Sequence, residues 1–318
     1  MDIAVRLSAL GDIIHTAVIL QFLPQKIDWL VEENMREILE YNPHISNIQT
    51  INLKSLKKSK LNVFSEYKKL KSLNYYDRAI DFQGLIKSAI TSKIIAKEVI
   101  GRKEIREKLA QIFYTKTLKT NSHTIDRYRL MINQIYNLNI SKEEFINHKP
   151  FLYFEDKHLT QKKYFSNTKK NIVFIIGSTA KNRLYPTKKW IELARSLNQN
   201  ILIPYGNEVE EKITFEIAEN ADVTILDKMS LNELKATISN ADLIIGNDTG
   251  PTYIGWANNI PTILLYGTTP ISRIYENKTT KVIKSKTAKY LDKLDKNDFS
   301  IRDIEIKEIL KGIDELFN

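Results

Sequence analysis

The stretch Ala241-Asp-Leu-Ile-Ile-Gly-Asn-Asp-Thr-Gly-Pro251 carries most of what the sequence says about architecture. An apolar run stops at the polar turn Gly246-Asn247-Asp248-Thr249-Gly250-Pro251. A helix-compatible segment follows from Tyr253 to Asn258. A second strand-like run, Pro261 to Tyr266, then ends in Gly267-Thr268-Thr269-Pro270. Strand, turn, helix and strand in that order predict a parallel α/β unit. In open sheets of this kind ligands bind outside the carboxyl ends of the strands. A helix starting there presents free N–H groups and the positive end of its dipole, which suits a phosphate. The stretch reads as a cradle for a nucleotide or sugar nucleotide, with an ordinary turn capped by Asp248 as the plain alternative.

The same rhythm runs in both directions. Toward the N-terminus, strand-like runs at Ile3–Leu7, Asp28–Val31, Ile48–Leu53, Arg78–Asp81 and Val99–Gly101 alternate with helical patterns at Ile13–Leu23, Asn34–Tyr41, Lys57–Leu73, Ile86–Ile95 and Thr124–Tyr136. Around Asn147–Lys157 the pattern turns extended and irregular, with Pro150 inside it, which marks a linker. The rhythm then restarts. Strands are expected at Asn171–Ile176, Asn200–Pro204 and Val223–Leu226, and helices at Thr187–Leu197, Glu208–Glu219 and Ser230–Ser239, the last opening with a Ser230/Glu233 capping box. Arg302–Phe317 reads as an amphipathic tail helix. The expectation is two Rossmann-like domains, 1–150 and 151–318, with a cleft between them and the tail helix free to pack back on the first.

The 318 residues contain no cysteine, so thiolate chemistry and disulfides are excluded. No apolar run is long enough for a membrane-spanning helix, and the first residues read as a strand rather than a signal peptide. A cytoplasmic protein is expected. The net charge of +10 is uneven: residues 1–150 hold 24 Lys and Arg against 16 Asp and Glu. That half should attract an anion, whether nucleic acid, an anionic membrane or an acidic substrate. Its densest run is Lys54, Lys57, Lys58, Lys60, Lys68, Lys69 and Lys71.

Three loops carry candidate chemistry. The first βα turn, Arg6 to His15, has one glycine and is no GxGxxG fingerprint. Asp12 stands where the first strand gives way to a helix, placed either to cap it or to act as a general base. His15, one turn on, is expected to be packed. Gly177-Ser178-Thr179-Ala180-Lys181-Asn182-Arg183 follows a strand and offers hydroxyls and cations to phosphate oxygens. Pro204-Tyr205-Gly206-Asn207-Glu208-Val209-Glu210-Glu211 places carboxylates in a first helical turn, where one could hold ribose or sugar hydroxyls. No Asp-x-Asp, HExxH, Walker A or GxSxG motif is present.

Taken in order, Leu7-Ser-Ala-Leu-Gly-Asp-Ile-Ile-His15, Asp81-Phe-Gln-Gly-Leu-Ile-Lys-Ser-Ala89, His123-Thr-Ile-Asp-Arg127, Asp248-Thr-Gly250 and Leu265-Tyr-Gly-Thr268 resemble the ADP-heptose:lipopolysaccharide heptosyltransferases, glycosyltransferase family 9, across the whole chain. The Gln83-Gly-Leu-Ile-Lys-Ser88 block is most like heptosyltransferase I. The resemblance implies an α/β GT-B fold with the acceptor in the first domain and the nucleotide sugar in the second. It implies an inverting transfer of heptose from ADP-heptose to the inner Kdo of Kdo-lipid A, with no metal or other cofactor. It implies work at the cytoplasmic face of an anionic inner membrane, with no nucleic-acid partner. Asp12 takes the place of the family's general base. Ser178, Thr179, Lys181, Arg183, Glu210, Asp248, Thr249 and Gly250 fall on the donor side, and Ser8, Gly11, His15, Gln83, Gly84 and Lys87 on the acceptor side. Two positions depart from the pattern: Arg183 stands where the family often has Lys, and Tyr253 where it often has His. The alternatives are a relative with another heptose acceptor or nucleotide sugar, and a non-catalytic sugar or anionic-lipid binder on the same scaffold.

Overall fold

The computed structural model describes residues 1–53, 60–73, 75–121, 123–289 and 295–317. They divide into two units, Met1–Phe151 and Leu152 onward. Lys54, Lys57 and Lys58 of the basic run lie outside the described residues, and only the backbone of Lys60 is described.

The first unit runs β1 (Asp2–Val5), α1 (Leu10–Ala17), β2 (Ile27–Glu32), β3 (Ile45–Ile51), α2 (Lys60–Ser72), β4 (Tyr76–Asp81), α3 (Ile86–Ile95), β5 (Ala96–Arg102), β6 (Lys116–Leu118), α4 (Asp126–Tyr136) and α5 (Lys142–Ile146). Its sheet is ordered β3-β2-β1-β4-β5-β6. β1 lies between β2 and β4 and is parallel to both, with Ile3 opposite Asp28 and Ala79. All four β1 residues are buried, as central parallel strands require. Ile3, Val5, Leu30, Ile51, Tyr76 and Ala79 form one core cluster of this unit.

The second unit runs β7 (Asn171–Ile175), α6 (Thr187–Ser196), β8 (Asn200–Ile203), α7 (Glu208–Ala218), β9 (Thr224–Ile225), α8 (Leu231–Ser239), β10 (Leu243–Asn247), α9 (Gly250–Ala257), β11 (Thr262–Tyr266), β12 (Thr280–Lys284) and α10 (Ile306–Phe317). The order β12-β11-β10-β7-β8-β9 repeats the first sheet's pattern, again parallel throughout. Phe174 and Trp190 anchor its core, with ring centroids 5.0 Å apart. α10 buries Ile309, Gly312 and Ile313 against this unit's own sheet, Gly312 seating on Ile263 and Ile283.

In each sheet the strand order reverses beside the first strand: between β1 and β4, and between β7 and β10. The loops leaving those strands diverge to opposite faces and leave a crevice, where ligands bind in doubly wound sheets. The loops carrying Asp12, Gln83, Lys181 and Asp248 leave these four strands, whereas those carrying Glu210 and Thr269 follow β8 and β11.

Some elements differ from the pattern expected. The Ile13–Leu23 segment is α-helical only to Ala17 and continues as a 3₁₀ turn, Val18–Phe22. The helix expected at Asn34–Tyr41 is a 3₁₀ turn, Glu33–Ile38. β6 and β12 carry no clear strand signal because they are edge strands with lysines in them: β6 exposes two of its three residues, and four of the five in β12 are only half-buried.

Candidate active site

The end of β1 sets the first half-site. Arg6 turns inward, 6% exposed, and its Nη1 donates to the Phe82 carbonyl at 2.9 Å, reaching the loop after β4. Its Nη2 lies 2.9 Å from Asp12 Oδ2. Asp12 is not the cap of α1: the N-cap is Ala9, and Asp12 stands in the first turn with about a quarter of its side chain exposed. Burial opposes the charge of Arg6, but the Tyr128, Asp12 and Asp81 charges outweigh it and raise its pKa. A fixed guanidinium thus holds one oxygen of a partly exposed carboxylate at the mouth of the crevice.

The loop after β4 braces this arrangement. Gln83 Oε1 accepts from the Leu7 amide at 2.9 Å. The buried Asp81 carboxylate accepts from the Gln83 and Gly84 amides, the Ser88 hydroxyl and the Tyr114 hydroxyl. Gly84 has φ +72°, and a Cβ there would lie 2.7 Å from Ile105 Cγ2, so both conformation and space call for glycine. Ser88 Oγ also accepts from the Leu85 amide and so opens α3. His15 is fully buried, packed as its place in the helix suggested, and so does not face the acceptor as the resemblance implied. Ser8 is half-buried and Gly11 buried, and Lys87 is exposed on α3.

Three arginines converge electrostatically on the buried Tyr128. Burial pushes its phenol up, but Arg6, Arg127 and Arg102 together bring it down. Arg102 is 5% exposed, and burial lowers both it and Arg127. No short-range pattern in the sequence joins this cationic cluster, whose members come from the residue after β1, from β5 and from α4.

In the second unit, Asn247 joins the two loops of the crevice. Its Nδ2 donates to the Ile176 carbonyl at 2.7 Å, and its Oδ1 accepts from the Tyr185 amide at 3.1 Å. Asp248 is not the N-cap of α9, which is Thr249. It turns inward, 2% exposed, and its oxygens are held from four sides. Oδ1 accepts from Tyr253 at 2.5 Å, and Oδ2 from Thr269 at 2.6 Å. Arg183 Nη1 stands 2.9 Å from Oδ2, and Arg273 Nε 3.5 Å from Oδ1. Burial would raise the carboxyl, but the Arg273 and Arg183 charges and the two hydroxyls hold it below the usual range. Tyr253 shares a further 2.7 Å hydrogen bond with Tyr266. The chain's tyrosine at this position is therefore a fixed donor to Asp248. Arg273, with 25% of its side chain exposed against 19% for Arg183, was not legible in the sequence.

Glu210 lies beyond. Asn207 caps α7 by accepting from the Val209 and Glu210 amides, and Glu210 Oε2 accepts from the Gly206 amide at 2.8 Å. A Cβ on Gly177 would sit 2.2 Å from Glu210 Oε1, so the carboxylate needs glycine opposite it. Glu210 borders a cavity of about 250 Å³ shared with Ile175, Tyr205, Leu231, Leu234 and Pro251. That is near the lower bound of ~300 Å³ for ligand pockets, and its mixture of apolar walls with few polar groups is theirs. Ser178 accepts from the Ala180 amide, whereas Thr179 and Lys181 are exposed. Among the described residues, no three His, Asp or Glu side chains group as metal ligands.

The sequence model of glycosyltransferase family 9 (heptosyltransferase) matches residues 63–300, about three quarters of the chain. The chain is 33% identical to lipopolysaccharide heptosyltransferase 1 of Campylobacter coli, covering 100% of this chain and 99% of that relative. It is 26% identical to lipopolysaccharide heptosyltransferase 1 of Salmonella typhimurium, covering 83% and 87%. Among solved structures, Escherichia coli heptosyltransferase WaaC with ADP superimposes with a TM-score of 0.78 at 23% identity, covering 99% of each chain. WaaC with ADP-2-deoxy-2-fluoro heptose gives 0.77 at 24% identity, again covering 99% of each chain. The structural likeness shows the fold class, GT-B, that the sequence led us to expect.

Proposed function

The chain belongs to glycosyltransferase family 9, the heptosyltransferases, and from that premise we propose that it transfers heptose from ADP-heptose to the inner Kdo of Kdo-lipid A in lipopolysaccharide core assembly. The observation that carries the donor half is the buried Asp248 holding Arg183 and Arg273 beside the N-terminus of α9 and within the same unit as the Glu210 cavity. That combination suits a nucleoside diphosphate: the base enters the cavity, Glu210 accepts from ribose hydroxyls, and the guanidinium groups meet the diphosphate. The heptosyltransferase 1 relatives support the acceptor assignment, and the WaaC complexes support an adenosine-diphosphate sugar as donor.

Asp12 is the general base. It takes the proton of the attacking acceptor hydroxyl as that oxygen bonds to the anomeric carbon and the carbon–phosphate oxygen bond breaks. One displacement inverts the anomeric configuration. Arg6 keeps the carboxylate aimed and ionised through the approach. ADP leaves into the field of Arg183, Arg273, Lys181 and the amides at Thr249 and Gly250, so charge stabilisation comes from fixed donors and needs no metal. Arg102 and Arg127, with Lys87, meet the acidic acceptor, and Ser8, Gly11 and Gln83 shape its bed. No described helix is long and apolar enough to cross a membrane, and the basic first half suits a peripheral encounter with the inner leaflet.

The test is ADP release from ADP-heptose with and without Kdo-lipid A, with the anomeric configuration of the product read by NMR. Acceptor-dependent release with inversion is expected. Release only with a different acceptor would reassign the substrate, and saturable donor binding with no release under any acceptor would make this a binding protein.

A further inference from the structure

The 3₁₀ turn Lys108–Phe113, between β5 and β6, presents an unusual outer face. Ala110 is fully buried, while Leu109 is 64% and Ile112 76% exposed. Residues three apart on a 3₁₀ helix lie on one side, so the two side chains project together. The turn packs against α3, on which Ile90 is 39% exposed. Single exposed apolar residues are ordinary. Here the charge around them adds a second, independent observation. Residues 85–119 hold nine Lys and Arg against three Glu. Lys103, Arg106, Lys108, Lys116 and Lys119 are all exposed. Two of the three acids are turned to backbone amides: Glu104 accepts from Thr120 and Glu107 from Ile86. The turn thus carries an exposed apolar pair on a stretch of chain rich in exposed cations, Arg106 and Lys108 immediately before Leu109 and Lys103 tied to the turn through its carbonyl, which accepts from Gln111.

The segment is also joined to the acceptor half-site. Ile105 fills the space beside Gly84, and Tyr114 donates to Asp81 at 2.7 Å. Arg102, one of the three arginines around Tyr128, donates to the Glu104 carbonyl. A surface seated on this turn would therefore stand in a fixed relation to the loop after β4.

We propose that the Lys108–Phe113 turn docks this chain on an anionic lipid surface, with Leu109 and Ile112 entering the headgroup layer and the surrounding lysines and Arg106 meeting lipid phosphates. A second copy is the poorer fit. Two such faces would bring like charges together, and two side chains fall far short of the ~800 Å² per partner that a stable interface buries. Apolar insertion and cationic attraction are instead the two terms that hold peripheral proteins on anionic bilayers. The inference deepens the proposed function by naming where a lipid-borne acceptor is met, but its test uses no transfer.

The experiment is vesicle co-sedimentation of the full chain, comparing vesicles containing one-third phosphatidylglycerol with neutral phosphatidylcholine ones, alongside sedimentation equilibrium. The parent should bind the anionic vesicles and leave the neutral ones. Leu109→Ser with Ile112→Ser, and separately Lys103→Gln with Arg106→Gln and Lys108→Gln, should each weaken binding by about tenfold. Turnover of a tail-less soluble acceptor should stay within twofold. The five positions are exposed, so the melting temperature should hold, and the charge variant tests the proposal even if the apolar one misfolds. Parent-like vesicle binding by both variants would overturn it, as would a parent dimer that the Leu109/Ile112 variant converts to monomer. Vesicle binding lost in the variants while the parent fails to glycosylate Kdo-lipid A would support the docking surface and overturn the substrate assignment instead.

Discussion

The Arg183 guanidinium lies 2.9 Å from the carboxylate of Asp248, which is 2% exposed. An acid so placed does not meet solvent; it sets the position of the cations that do. Asp248→Asn should therefore act twice. Removing one partner of a buried ion pair costs roughly 3–5 kcal/mol, and the partial exposure of Arg183 and Arg273 puts the expected loss at the lower end. Donor KM should rise with the two arginines no longer aimed, while acceptor KM holds. Urea unfolding and steady-state kinetics measure the two effects, and an unchanged midpoint would remove the clamp from the account. Since the folded carboxyl is held below its ordinary value of about 3.9, its contribution is present above that pH and is lost as pH falls through the lower folded value.

Arg273→Ala should raise KM for the nucleotide sugar by roughly tenfold to a hundredfold, the cost of a charge-assisted hydrogen bond. Full activity should survive EDTA in the parent, because these guanidinium groups supply the charge. Loss on chelation, restored by Mg²⁺ or Mn²⁺, would take that role from Arg183 and Arg273.

Stability in the first unit should fall in mild acid. His148 is 3% exposed, and burial brings its pKa down from 6.5 to about 4. The unfolded chain thus binds a proton there that the folded chain refuses. Stability is full above about pH 6.5 and declines toward pH 4 by roughly 1.4 kcal/mol per pH unit for this one group. His123, also brought down to about 4 by burial, adds in the same direction. The measurement is the urea midpoint between pH 7 and 4.5 for the parent and His148→Gln, whose slope should be shallower.

How far the sequence carried this account follows from where each signal lies. Central strands such as β7 and β10 are buried on both faces and read as unbroken apolar runs, so the βα rhythm was plain. Asp12 and Asp248 were found because they stand at strand ends. Their surroundings were not legible. Arg273 reaches Asp248 across 25 positions and Arg6 reaches Asp12 across the β1 turn, and neither contact leaves a periodic trace. The strand order that makes these ends into crevices is likewise a long-range property. Asp248, expected to face the donor, is enclosed because Tyr253, Thr269 and the two arginines close over it.

Asp12 as the general base is the central claim, and its direct test is kcat of Asp12→Asn. Alanine would leave the buried Arg6 guanidinium facing a void, mixing lost folding with lost chemistry. Asparagine keeps an oxygen for Arg6 and removes the basicity. The account predicts a kcat lower by roughly 10²–10⁴-fold, with donor KM and melting temperature close to the parent's. A kcat within a few-fold of the parent would contradict it and leave Asp12 as no more than the counter-ion of Arg6.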